Sequence, residues 1–219
     1  MKLNRYSFSV LVLLTSMLFC NSCQEQRNKE NVSDPPNPAN VAGYVTDSTS
    51  LYDQVAIETI LQTDTMQFRD QTTEAFKEAF EQALINYLQL QEALAQNDLA
   101  KADQFASEML GSLRATDVND LQEEAKAFWA EKKLFLEEHL RMQREMEDMQ
   151  RIKENFIYIS TAMIKAVNAF GSSSELYVMY CPLVNERRGA YWLSKTNEVR
   201  NPYGADAFLE CGEVKKILR

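Results

Sequence analysis

The chain has 219 residues, of which 45% are hydrophobic and 25% charged, enough for one domain with a real core. Acidic residues outnumber basic ones by nine, and a surface that negative repels phosphate backbones and sets nucleic acid aside as a partner. The same net charge serves to keep the protein in solution.

The start of the chain reads as a processing segment, expected to take no part in the fold. Lys2 and Arg5 supply a positive start, and FSVLVLLTSMLF from Phe8 to Phe19 supplies an apolar run. That run is too short for a permanent membrane span, which needs about 20 apolar residues. Ser22 precedes Cys23, and the stretch resembles a bacterial lipobox, in which a small residue stands before the lipidated cysteine. Cys20 follows Phe19 and does not fit, and it occupies a place where the pattern has Leu, Val or Ile. The resemblance implies cleavage after residue 22, lipidation of Cys23 and anchoring in a membrane. Gln24 after the cysteine implies the outer membrane, with the protein facing the periplasm or the exterior. Loss of Lys2 and Arg5 with the leader moves the net charge from −9 to −11.

Residues 23–48 are polar and carry Pro35, Pro36 and Pro38, which reads as an extended tether. Residues 49–170 contain no proline and one glycine, Gly111, and are expected to be helical. Asp70 to Asn97 reads as one helix, with Ala75, Phe76, Phe80, Ala83, Leu84, Tyr87, Leu90 and Leu94 at helical spacing. Asn97 and Asp98 offer a cap for a second helix running to about Leu113, facing inward with Leu99, Ala102, Phe105, Ala106, Met109 and Leu113. Thr116, Asp117 and Asp120 are candidate caps for a third, which carries Leu121, Ala125, Phe128, Trp129, Leu134, Phe135 and Leu136. A fourth helix puts Ile152, Phe156, Ile159, Met163, Val167 and Phe170 on one stripe and stops at Gly171. The fold class expected is mainly α: an up-down four-helix bundle followed by a small irregular α+β segment over 171–219.

In that last segment LYVMYC (176–181) and GAYWLS (189–194) read as strands, with NERRG as a turn between them. ECGEVKKIL returns to a helix or a strand. After processing, Cys181 and Cys211 are the two remaining cysteines. Outside the cytoplasm such a pair reads first as a disulfide, worth about 3–4 kcal/mol in the chain-entropy model, and second as a metal-binding thiol pair.

The segment CPLVNERRGAYWLSKTNEVRNPYGADAFLECGEV carries a motif series. Cys181-Pro182, Trp192-Leu193-Ser194, Asn201-Pro202-Tyr203 and Leu209-x-Cys211-Gly212 follow in order. It resembles a bacterial domain of unknown function, the DUF3347 family. That domain is common in Bacteroidetes lipoproteins and is also appended to periplasmic adaptors of copper and silver efflux pumps. YLQLQEALAQNDLAKADQFA, with Phe156, Ser160 and Met163, is similar to its helical part. The resemblance implies Cu(I) handling beside a heavy-metal efflux adaptor. Two of the family's methionines are replaced here, by Leu183 after Cys-Pro and by Phe208 before the second cysteine.

Soft sulfur ligands suit Cu(I). Met179 and Cys181 are two apart on an expected strand and share a face. His139, Met142, Met146 and Met149 are spaced to line one face of a helix, and His139 is the chain's single histidine. Met179, Cys181, Cys211 and that stripe are therefore the candidate Cu(I) ligands, against the reading that the methionines are core. No GxSxG, HExxH, CxxC, P-loop or dinucleotide fingerprint is present, and no enzyme is expected. Two roles remain. One is a lipid-anchored accessory that binds or buffers Cu(I). The other is a structural or interaction lipoprotein on the same scaffold, with Cys181–Cys211 as a disulfide and no metal.

Overall fold

The computed structural model describes residues 67–119, 121–204 and 208–219, in which four helices precede a three-stranded antiparallel sheet. The leader, Cys23, the tether, Asp120 and the first part of the expected helical region lie outside the described residues. The helices are α1 (Glu74–Ala95), α2 (Leu99–Ala115), α3 (Glu123–Arg144) and α4 (Met149–Phe170). Each packs on the next across a short connection. The strands are β1 (Leu176–Cys181), β2 (Ala190–Ser194) and β3 (Glu213–Leu218), in the order β2-β1-β3. The fold class is the expected one.

Local chemistry sets the helix ends. Thr73 accepts a hydrogen bond from the Phe76 N–H, Asp98 from Lys101 and Asp148 from Arg151, each satisfying an orphan donor of a first turn. α1 is therefore shorter than the expected Asp70–Asn97 run, since Thr73 caps it and Arg69–Gln71 form a 3-10 turn. It ends at Asn97, whose φ of 54° lets the N–H groups of Asn97 and Asp98 reach back to Leu94 and Ala93. This is a Schellman stop, with asparagine in the left-handed position. Gly171 at φ 82° ends α4, its N–H bonded to the Val167 carbonyl.

Two expected features of α3 are corrected. Its N-cap is Gln122, which makes no side-chain cap bond, while Thr116 turns back to the end of α2 and donates to the Leu113 carbonyl. Leu134 and Phe135 are not core residues: they are 66% and 39% exposed. α3 buries Ala125, Phe128, Trp129, Lys132, Leu136, Leu140 and Gln143, and in the run Leu134-Phe135-Leu136 only Leu136 falls on that stripe. Lys132 fits it because its stem packs inward and its ammonium lies 4.9 Å from the Phe128 ring centroid and 2.9 Å from Glu131. Leu99, the first residue of α2, is likewise 40% exposed.

The core is aromatic at one end. Phe76, Phe80, Phe128, Trp129 and Phe170 surround one another with Phe68, at centroid separations of 4.9 to 5.9 Å and mostly tilted or edge-on. The Trp129 indole N–H donates to Thr116 Oγ1 at 3.0 Å. The sheet packs on the bundle through β2, mainly against α4. No helix among the described residues is long and apolar enough to cross a membrane.

Candidate functional site

Cys181 ends β1 and Cys211 stands just before β3, and these two strands are antiparallel neighbours. Tyr180 faces Glu213 in the register, so Cys181, one residue beyond Tyr180, and Cys211, two residues before Glu213, approach at the same end of the sheet. The two cysteines form a disulfide, with Cα atoms 5.5 Å apart. Cys181 is fully buried and Cys211 half-buried. The terminal segment left open between helix and strand is β3, because its residues pair with β1 from Leu176 to Tyr180.

The loop before Cys211 is organised by Asn201, which is fully buried. Its N–H donates to the Leu209 carbonyl, and its side-chain amide donates to the carbonyls of Phe208 and Cys211 and accepts from the Tyr203 N–H. The Tyr203 hydroxyl donates to the Tyr191 carbonyl at 2.6 Å, and its ring meets Trp192 edge-on at 5.9 Å. Gly212 is required by close approach: a Cβ there would come within 2.8 Å of the Trp192 ring and 2.9 Å of Val199. Motif residues of the C-terminal segment thus meet around one disulfide.

The helices hold this assembly through polar ties. Tyr87 on α1 shares a 2.7 Å bond with Ser160 on α4, and its hydroxyl accepts from the Leu193 N–H at 3.0 Å. Gln91 donates to the Arg200 carbonyl, and Glu92 pairs with the Arg200 guanidinium at 2.6 Å. Lys153, buried near the start of α4, donates to Asn97 Oδ1 and to the Gly204 carbonyl, both at 2.7 Å. Sequence reasoning placed Tyr87 in the core and passed over Gln91, Lys153 and Ser160 as ties to the sheet. Polar residues on the inward stripes of α1 and α4 were the available signal.

Burial pushes the Tyr87 phenol far above its ordinary value, against smaller opposing effects of Ser160 and the Leu193 N–H. Tyr203 is raised too, by burial first and then by Tyr87. The unfolded chain releases these protons near pH 10 while the folded one keeps them. Their contribution to stability is therefore whole below pH 10 and falls above it, by about 1.4 kcal/mol per pH unit for each phenol. Urea midpoints should drop steeply between about pH 10 and 11, and less steeply in Tyr87→Phe. Equal slopes for both proteins would rule out a buried, neutral Tyr87.

The candidate metal ligands are not arranged as one stripe. α3 ends at Arg144, so only His139 and Met142 lie on it. Met146 falls in the connection and Met149 opens α4. Met142 is exposed, whereas Met146 and Met149 pack partly buried against the core. His139 Nδ1 is bonded to Asn155 Oδ1 at 2.7 Å, and its ring stacks on Tyr158 at 4.9 Å and touches Phe135. Met179 is fully buried on β1, paired with Trp192, and the register to β3 slips beside it. Among the described residues no three of His, Cys, Asp and Glu gather as a metal centre.

Residues 83–175 match the model of a family described as a protein of unknown function, DUF3347. The match runs from the middle of α1 through α4 and ends just before β1, so it covers the helices and stops short of the Cys-Pro to Cys-Gly series. No curated protein and no solved structure matches the chain.

Proposed function

We propose, from the lipobox-like stretch ending at Cys23 and the match of residues 83–175 to the DUF3347 model, that this is a non-enzymatic, lipid-anchored cell-envelope protein. Its folded domain serves as a structural or interaction scaffold. Cys23 carries the lipid and the outer membrane holds it. The observation that carries the scaffold role is the closed Cys181–Cys211 bond. A disulfide has no thiolate to offer a soft cation, and the residues around it are occupied in holding backbone: Asn201, Tyr203 and Tyr87 each satisfy main-chain groups. An oxidising compartment keeps such a bond formed.

The rival role is a Cu(I) buffer for a heavy-metal efflux adaptor, with Cys181, Cys211 and Met179 as ligands after reduction. One set of measurements separates the two. Non-reducing mass spectrometry of protein taken from the cell envelope should find Cys181 and Cys211 bridged, and the protein so isolated should take up no Cu(I). Free thiols together with one equivalent of tightly held Cu(I), lost in Cys181→Ser, would reverse the assignment. The anchor is checked by fractionation: Cys23→Ala should move the protein from membrane to soluble fractions.

A further inference from the structure

The two outer strands of the sheet β2-β1-β3 differ: all five residues of β2 are buried, whereas five of the six in β3 are exposed. Among the described residues, the edge of β3 away from β1 meets no backbone partner. Such an edge carries a row of free N–H and C=O groups, ready to pair with another extended chain.

β3 sorts its side chains onto two faces, because residues directly opposite in a ladder share a face. Val214 lies opposite Met179 and Ile217 opposite Tyr177, so both stand on one face, 40% and 50% exposed. Lys216 lies opposite Val178, on the other face. The slip in register between Val178 and Met179 leaves Lys215 as the extra residue. Its ammonium lies 5.3 Å from the ring centroid of Tyr180, which shares the face of Val178. From Glu213 to Arg219 the chain has three basic residues and one acidic, in a protein of net charge −9. Lys215 is held by Glu213 and Arg219 by Glu175, while Lys216 forms no salt bridge among the described residues.

We propose that β3 is a docking edge for an extended acidic segment of another protein, which adds to the sheet as a fourth strand. Main-chain hydrogen bonds supply the affinity, and alternation supplies the selection. Acidic side chains of the incoming strand lie beside Lys216 on one face, and apolar ones beside Val214 and Ile217 on the other. A second copy of this chain is the weaker occupant. Two β3 strands paired antiparallel about their middle set Lys215 against Lys216, and like charges directly opposite destabilise a ladder. Edge lysines thus turn away the strand's own copy and admit an acidic one. The contact rests on the scaffold role only in needing a partner: failure of the scaffold role shows as free thiols, failure of the contact as an unmoved β3.

The test is an NMR titration of the isotope-labelled full chain with the acetylated, amidated peptide Thr-Glu-Val-Glu-Val-Glu-Thr. One comparison peptide carries lysine in place of each glutamate, and another carries proline in place of both valines, which breaks a strand. The acidic peptide should shift the backbone amides of Val214, Lys216 and Ile217 saturably and slow their hydrogen exchange. Both comparison peptides should bind at least about fivefold more weakly. Lys216→Glu, at an exposed position, should weaken the acidic peptide by about the same factor and strengthen the lysine one. The proposal falls if the acidic peptide leaves β3 unmoved, if the lysine or proline peptide binds as well, or if Lys216→Glu changes neither affinity. It falls also if the β3 resonances shift with protein concentration alone, since the occupant is then a second copy.

Discussion

Replacing both Cys181 and Cys211 with alanine should cost the domain about 3–4 kcal/mol, the chain-entropy worth of a cross-link across 30 residues of separation. The melting temperature should fall by about 7–15 °C. Apart from its ladder with β1, β3 contributes little burial of its own: five of its six residues are exposed, and only Leu218 is buried. Without the bond, the unfolded chain regains the freedom of a long loop, and the Asn201 turn must be held by its own hydrogen bonds. A reducing agent added to the parent protein should reproduce the loss, and the double variant should be indifferent to it. A melting temperature unmoved by either treatment would mean that the bond contributes nothing to the fold, and with it the scaffold role would lose its support.

Trp129→Ala should destabilise the protein by about 3–5 kcal/mol, the range for removing a fully buried aromatic side chain. Trp129 meets Phe76, Phe80 and Phe170 edge-on, at 5.4 to 5.8 Å, and its indole N–H bonds Thr116 where α2 gives way to the next connection. The substitution therefore opens a void among three helices and removes a directional bond at a helix end. Urea unfolding monitored by circular dichroism gives the number, and the loss should persist in full under reducing conditions, since the disulfide lies in the sheet. A cost below about 1 kcal/mol would show that the aromatic end repacks, contrary to the close-packed cluster described above. Leu134, on the opposite side of the same helix, supplies the contrast: its exposed side chain has little to lose.

Helix existence was legible because apolar spacing and caps are local properties. Asp98 caps α2 and Gly171 stops α4 as the residues alone indicate, since a side-chain acceptor and a left-handed backbone act within a few residues of their own position. The cysteine pair was legible as a choice between bond and metal, from compartment and count. Where periodicity was misread, the cause was a run of three adjacent apolar residues, Leu134-Phe135-Leu136, from which a helix 100° per residue can turn only part inward. The methionine stripe failed for a related reason. Spacing along the chain means a common face only inside one helix, and α3 stops at Arg144, between Met142 and Met146.

By itself the sequence determined four helices and a short β segment behind them, because these follow from neighbours in the chain, and it left two cysteines with a reason to meet, from their count and the expected compartment. Tertiary structure alone decided that β3 lies beside β1, that Tyr87, Gln91 and Lys153 reach from the helices to the C-terminal backbone, and that Gln143 is buried with its amide unmet. Those facts depend on contacts between residues tens of positions apart. No local pattern encodes such contacts: register and burial are set by how whole faces pack against one another.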